Sequence, residues 1–80
     1  MLMWLSYSYD MLLISHHANV NIANKDEVTA LMFACEKGHV DVVKLLLSGN
    51  ADVNMTNKDG FTALMFASEE GHVDVAKLFL

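Results

Sequence analysis

Asn57-Lys58-Asp59-Gly60-Phe61-Thr62-Ala63-Leu64-Met65-Phe66-Ala67 restates, 33 residues on, the earlier stretch Asn24-Lys25-Asp26-Glu27-Val28-Thr29-Ala30-Leu31-Met32-Phe33-Ala34. Followed outward, the match runs from Asn21–Leu47 to Asn54–Leu80. Only eight of its 27 pairs differ: Ile22/Met55, Ala23/Thr56, Glu27/Gly60, Val28/Phe61, Cys35/Ser68, Lys37/Glu70, Val43/Ala76 and Leu46/Phe79. So many identities at one fixed spacing mark an internally repeated architecture, in which each period is one supersecondary unit. The same shift lays Leu12–Asn21 over Leu45–Asn54, so the second half of an earlier unit precedes the two clear ones. Met1–Met11 has no convincing counterpart in Ala34–Lys44, and the first unit is diverged, truncated or replaced by a cap.

Within a unit the residues spell loop, helix, turn, helix, loop. Thr29 and Thr62 stand directly before apolar runs, where a side-chain oxygen can accept an otherwise orphaned backbone N–H at a helix start. Val28 and Phe61 lie just before these caps, with Phe33 and Phe66 at the fourth helical position; this is the spacing of a hydrophobic staple. Gly38 and Gly71 close the first helix, where a left-handed residue is wanted. The second helix is expected over about Val40–Ser48. It carries Asp41, Lys44 and Ser48 on one polar stripe and leaves Val42, Val43, Leu45, Leu46 and Leu47 to face neighbours. Asp41 early and Lys44 late suit the helix dipole.

The first helix, Ala30-Leu31-Met32-Phe33-Ala34-Cys35, is apolar almost all round. One unit cannot hide that surface, whereas stacked units can, which is the physical logic of a solenoid. Asn57–Ala67 followed by Gly71-His72-Val73-Asp74-Val75-Ala76-Lys77-Leu78, the partner stretch from Asn24 to Leu45, and the connecting Gly49-Asn50-Ala51-Asp52-Val53-Asn54 together resemble the ankyrin repeat. The resemblance covers about Leu12 to Leu80. It implies an all-α fold, a short α-solenoid of helix-turn-helix units joined by β-turn finger loops. The organisation expected is a degenerate N-terminal repeat or cap over residues 1–20, one repeat over 21–53, and another over 54–80 that stops within its second helix.

The sequence departs from the family pattern at several points. The usual Thr-Pro-Leu-His is here Thr29-Ala30-Leu31-Met32 and Thr62-Ala63-Leu64-Met65, so the proline's preset geometry is absent and a thioether replaces the imidazole. Glu27 occupies the turn position at which Gly60 and the family carry glycine, and that turn must avoid or tolerate a positive φ. Asn50 and His17 take the place of glycine after the second helix; both types are enriched among left-handed non-glycine residues. Leu78, Phe79 and Leu80 reach the last residue without a polar cap, although terminal repeats need a polar outer face. This implies either a longer array or self-association through the ends.

Composition narrows the function classes. The 80 residues hold five lysines, no arginine and ten acidic side chains, a formal net charge of −5. Nucleic acid, which needs a basic face, is therefore excluded as the expected partner, and anionic membrane surfaces are disfavoured. Met1–Ile14 contains Asp10 and no basic residue, which fits neither a signal peptide nor a spanning helix. A membrane role would require Trp4, Tyr7 and Tyr9 to sit at an interface rather than cover the first repeat. The single cysteine, Cys35, forbids an internal disulfide and suits a reducing, intracellular location, cytoplasmic or nuclear.

No catalytic or metal constellation emerges. His39 and His72 recur with the period and read as side chains bonding backbone between units, whereas a zinc site needs four converging ligands; the pair His16-His17 reads as polar loop. Cys35 sits in an apolar helix opposite Ser68 in the alignment, and reads as a small buried side chain rather than a nucleophile. The carboxylates recur with the repeat instead of pairing for acid–base work. Neither an enzyme nor a cofactor is expected.

The resemblance implies instead a protein-interaction module whose turn tips and first helices line a concave groove. Its positions are Lys25, Asp26 and Val28, Lys58, Asp59 and Phe61, and Glu36, Lys37, Glu69 and Glu70. The turn charges also suit ordinary solvation, and Val28 and Phe61 suit staples; Phe61 has in addition the size to anchor a partner. Glu69-Glu70 places two negative charges at a helix C-terminus, against the dipole, and a local rule broken without compensation is often functional. The partner expected is a protein or peptide of basic or amphipathic character. The alternative role is that of a structural spacer or capping segment of a longer array, with the ligand bound elsewhere.

Overall fold

The structure, a computed structural model, describes residues 19–80. The expected unit over residues 1–20, the segment Met1–Ile14 and the pair His16-His17 lie wholly or mostly outside the described residues.

Four helices follow one another: α1 (Ala30–Lys37), α2 (Val40–Ser48), α3 (Ala63–Glu69) and α4 (Val73–Lys77). Each begins or ends for a local reason that recurs one period later. Thr29 caps α1 with its hydroxyl accepting from the Met32 N–H at 3.3 Å, and Thr62 does the same for α3 through Met65 at 3.3 Å. In α1 the Met32 sulfur reaches back to accept from the Thr29 N–H at 3.5 Å, so the thioether completes a reciprocal capping box. Gly38 ends α1 at φ +75° and Gly71 follows α3 at φ +72°. The chain then turns directly into α2 and α4, as the Ala34 and Ala67 carbonyls accept from the N–H groups of His39 (3.0 Å) and His72 (2.9 Å).

Packing repeats as well. α1 lies against α2 and α3 against α4 within each unit, while α1 against α3 and α2 against α4 join the units. Between them the core forms from Leu31, Met32, Ala34, Cys35, Val43, Leu46, Ala63, Ala67 and Val75. The first helices thus make an inner layer and the second helices an outer one, the solenoid that the apolar α1 sequence demands. Among the described residues there is no strand; one isolated antiparallel bridge, Ala23 with Thr29, closes the base of the first finger. No helix among these residues is long and apolar enough to cross a membrane.

Of the two readings open for Glu27, the turn tolerates a positive φ, at 62°, and Asn50 takes the left-handed conformation that its place after the second helix implies, at φ 66°. Two expectations change in detail. Val42, expected to face a neighbour, is 44% exposed, because the buried sector of α2 is narrow and centres on Val43 and Leu46. The last helix ends at Lys77, and Leu78, Phe79 and Leu80 continue as a tighter turn with successive i→i−3 bonds.

Candidate functional site

The fingers are built by two asparagines. Asn24 Oδ1 accepts from the N–H groups of Asp26 and Val28, both at 2.9 Å, and Asn57 Oδ1 from those of Asp59 (3.0 Å) and Phe61 (2.9 Å). The backbone closes the same turns, Glu27 N–H to Asn24 O at 2.9 Å and Gly60 N–H to Asn57 O at 3.0 Å. An Asx side chain that satisfies its own turn in this way fixes the tip without outside help. The two tips are then linked to each other, Lys58 N–H donating to Asp26 O at 3.1 Å, with Lys58 Nζ 3.6 Å from Asp26 Oδ1. Both side chains of that ion pair are mostly in water, so it contributes at most about 1 kcal/mol; the backbone bond sets the spacing.

Beneath the tips lies a cleft of about 390 Å³ between the fingers and the inner helices. Asp26, Lys58 and Asp59 line its finger side, Glu36 its far end, and Val28, Met32, Phe33 and Phe66 its apolar floor. Five of the residues expected at the groove, Asp26, Val28, Glu36, Lys58 and Asp59, are brought together here. Lys37 sits at the rim with its Nζ 5.6 Å from the Phe33 ring centroid, close enough for a cation–π attraction. Lys25 is exposed at the first tip, and Glu69 and Glu70 are exposed at the end of α3, away from this cleft. Phe61 is half-buried with its ring centroid 5.6 Å from that of Phe66, tilted 45°, the contact expected of a staple.

The sequence reading did not single out the aromatic floor. Phe33, expected as a staple, is 54% exposed and lines the cleft. The signal was present as spacing: Phe33, Glu36 and Lys37 stand at i, i+3 and i+4 on one helix and therefore share a face.

Elsewhere the chemistry is structural. His72 Nε2–H donates to the Glu36 carbonyl at 2.9 Å, a bond from one unit to the backbone of the other. Cys35 is fully buried and desolvation pushes its thiol up to about 11, which withholds the nucleophilic thiolate at neutral pH. Among the described residues no group of three or more His, Cys, Asp or Glu side chains is placed to hold a metal ion.

The family model for ankyrin repeats in three copies matches residues 2–80. The chain belongs to the ankyrin repeat family. Ankyrin repeats are generally protein-interaction modules and generally non-catalytic. Among solved structures, this ankyrin chain is similar to a chain in the complex of a predatory endopeptidase from Bdellovibrio bacteriovorus with an immunity protein, at 33% identity and a TM-score of 0.78. The likeness covers 86% of the ankyrin chain and 36% of the other, so the present chain spans about a third of that protein's length. No curated protein matches the chain.

Proposed function

We propose that the cleft between the finger tips and the inner helices takes up a segment of a partner protein, one that presents a basic side chain beside an apolar one. The observation that carries this reading is the pairing of an aromatic floor, exposed Phe33 beside half-buried Phe66, with the carboxylates of Asp26, Glu36 and Asp59 around it. Both lysines near the cleft are already engaged, Lys58 with Asp26 and Lys37 over Phe33, which leaves a surplus of negative charge for an incoming cation. Lys25 at the first tip and Glu69 and Glu70 at the end of α3 lie outside the cleft and contribute only to a partner segment long enough to reach them, while Phe61 supports the floor by holding Phe66. The solved complex of a similar chain's assembly with a protein partner is in keeping with this role.

A phage-displayed random peptide library selected on the immobilised chain tests the proposal. Enriched peptides are expected to carry Lys or Arg next to Leu or an aromatic residue. Their binding should weaken with salt and fall at least tenfold in Phe33→Ser and Asp59→Lys. Acidic or purely apolar winners, or winners indifferent to both substitutions, overturn it. Charge reversal at Glu69 and Glu70 that changes neither affinity nor its salt dependence removes that end of α3 from the site. A spacer role, with the ligand bound elsewhere, predicts no selectable peptide at the cleft.

A further inference from the structure

The chain already seats one of its own cations in the cleft. Lys58 stands on the second finger and Asp26 on the first, both line the cleft, and the Lys58 ammonium lies 3.6 Å from Asp26 Oδ1. The lysine side chain therefore spans the finger side of the cleft from one tip to the other. The dipeptide Lys25-Asp26 recurs as Lys58-Asp59, and it is the lysine of the later tip that reaches the aspartate of the earlier one. Every residue lining the cleft falls within 24–66, so both of its walls belong to the described units.

The spacing of the tips does not depend on this ion pair. Lys58 N–H donates to Asp26 O at 3.1 Å, and Asn24 and Asn57 each close their own turn. The ammonium can leave while the fingers stay where they are. Its departure costs little, because the side chains of Lys58 and Asp26 are 59% and 73% exposed and pairs so exposed hold weakly, and because a lysine ammonium returned to water is strongly hydrated. What it vacates is a carboxylate beside an apolar floor, with Glu36 adding negative charge at the far end.

We infer, resting on the peptide-binding reading of this cleft, that Lys58 is a tethered competitor of the partner, seated on the carboxylate, Asp26, that the partner's basic side chain takes when it binds. Binding is then an exchange. The incoming ammonium or guanidinium pairs with Asp26, the Lys58 ammonium swings into water, and the main-chain bond keeps the tips in register. Such an exchange makes the cleft selective. A segment that offers a cation alone swaps like for like and gains little. One that also lays an apolar side chain on Phe33 gains a burial that Lys58 cannot supply. Neutralising Lys58 removes the competitor and opens the seat.

The test is an NMR titration of the isotope-labelled chain with the probe acetyl-Leu-Arg-amide at millimolar concentration. The backbone amides of Phe33 and Glu36 report occupation of the cleft. The Lys58 ε-methylene reports the ion pair, its unpaired position being fixed in Asp26→Asn. Lys58→Gln is expected to bind the probe about two- to fivefold more tightly than the wild type, with Lys58→Met as a second variant should the first not fold by circular dichroism. Lys44→Gln removes the same charge from the exposed polar stripe of α2, outside the cleft, and should gain no more than about 1.5-fold because distant exposed charges are screened. In the Asp26→Asn background the gain from Lys58→Gln should shrink to that level, and saturating probe should carry the wild-type Lys58 ε-methylene to its unpaired position. Cleft amides that move while Lys58→Gln gains nothing over Lys44→Gln, or while the Lys58 resonance stays in place, overturn the inference and leave the peptide-binding reading standing. A probe that moves no cleft amide in either chain also overturns it, and the phage selection then decides the reading beneath.

Discussion

Several residues act here through backbone shape or burial rather than through reactivity. Glu27 holds φ 62° at the turn where its counterpart Gly60 holds φ 82°, and a non-glycine residue in that region costs roughly 1 kcal/mol. Glu27→Gly is therefore expected to be neutral to stabilising in thermal melts despite the entropy it adds to the unfolded chain. Gly38→Ala and Gly71→Ala meet the same left-handed φ, but only at Gly38 would the new Cβ strike the His72 ring. The first should cost distinctly more than the second in urea titrations, and equal costs would show that the ring yields freely. Cys35 carries a pH consequence. Its thiol is pushed from 9.0 to about 11 in the fold, so between these values the unfolded chain has released a proton that the folded chain keeps. The contribution to stability is complete below pH 9 and is lost as the pH rises toward 11. Denaturation midpoints followed across that window should fall for the wild type and fall less for Cys35→Ala.

At the level of the helix, nearly identical sequences give unequal caps. Thr29 is buried and belongs to a reciprocal box with Met32, whereas Thr62 is half-buried and makes the forward bond alone. Thr29→Ala is expected to cost about 1–2 kcal/mol and Thr62→Ala about 0.5–1 kcal/mol, measured by chemical denaturation. The starts of α1 and α3 and the span of α2 were legible in the sequence because caps, glycines and staples act over a few residues, whereas the end of α4 at Lys77 was not. Exposure was legible only in part. Met32 and Met65, Ala30 and Ala63, and Val42 and Val75 are the same residue types at the same place in the period, with opposite burial. No local pattern can separate them, since the difference lies in which flank another unit covers. The aromatic floor of the cleft was missed for the same reason: Phe33 and Phe66 read alike, and only the stack decides that one ring is open to a ligand while the other leans on Phe61.

For the molecule as a whole, stability resides in the joint between units. Val75 ties α4 to α2 and is fully buried, while Val42, its twin in the period, is 44% exposed. Val75→Ala should cost about 2 kcal/mol and Val42→Ala no more than about 0.5 kcal/mol, compared in dilute solution by circular dichroism. A repeat array of this kind behaves as a sum of units and nearest-neighbour terms, so damage at the joint should broaden the melt as well as lower its midpoint.

Among the described residues, two hydrogen bonds join the unit 21–53 to the unit 54–80, and each ends on a main-chain carbonyl. His72 addresses the carbonyl of Glu36, and Lys58 N–H addresses the carbonyl of Asp26. A carbonyl is the same whatever side chain its residue carries. Positions 26 and 36, which face the cleft, can therefore be rewritten by mutation while the bonds that hold the stack stay as they were. Inheritance can act separately on the two tasks: lineages of such chains can diverge in what they recognise and still remain interchangeable, unit for unit, in how they are assembled.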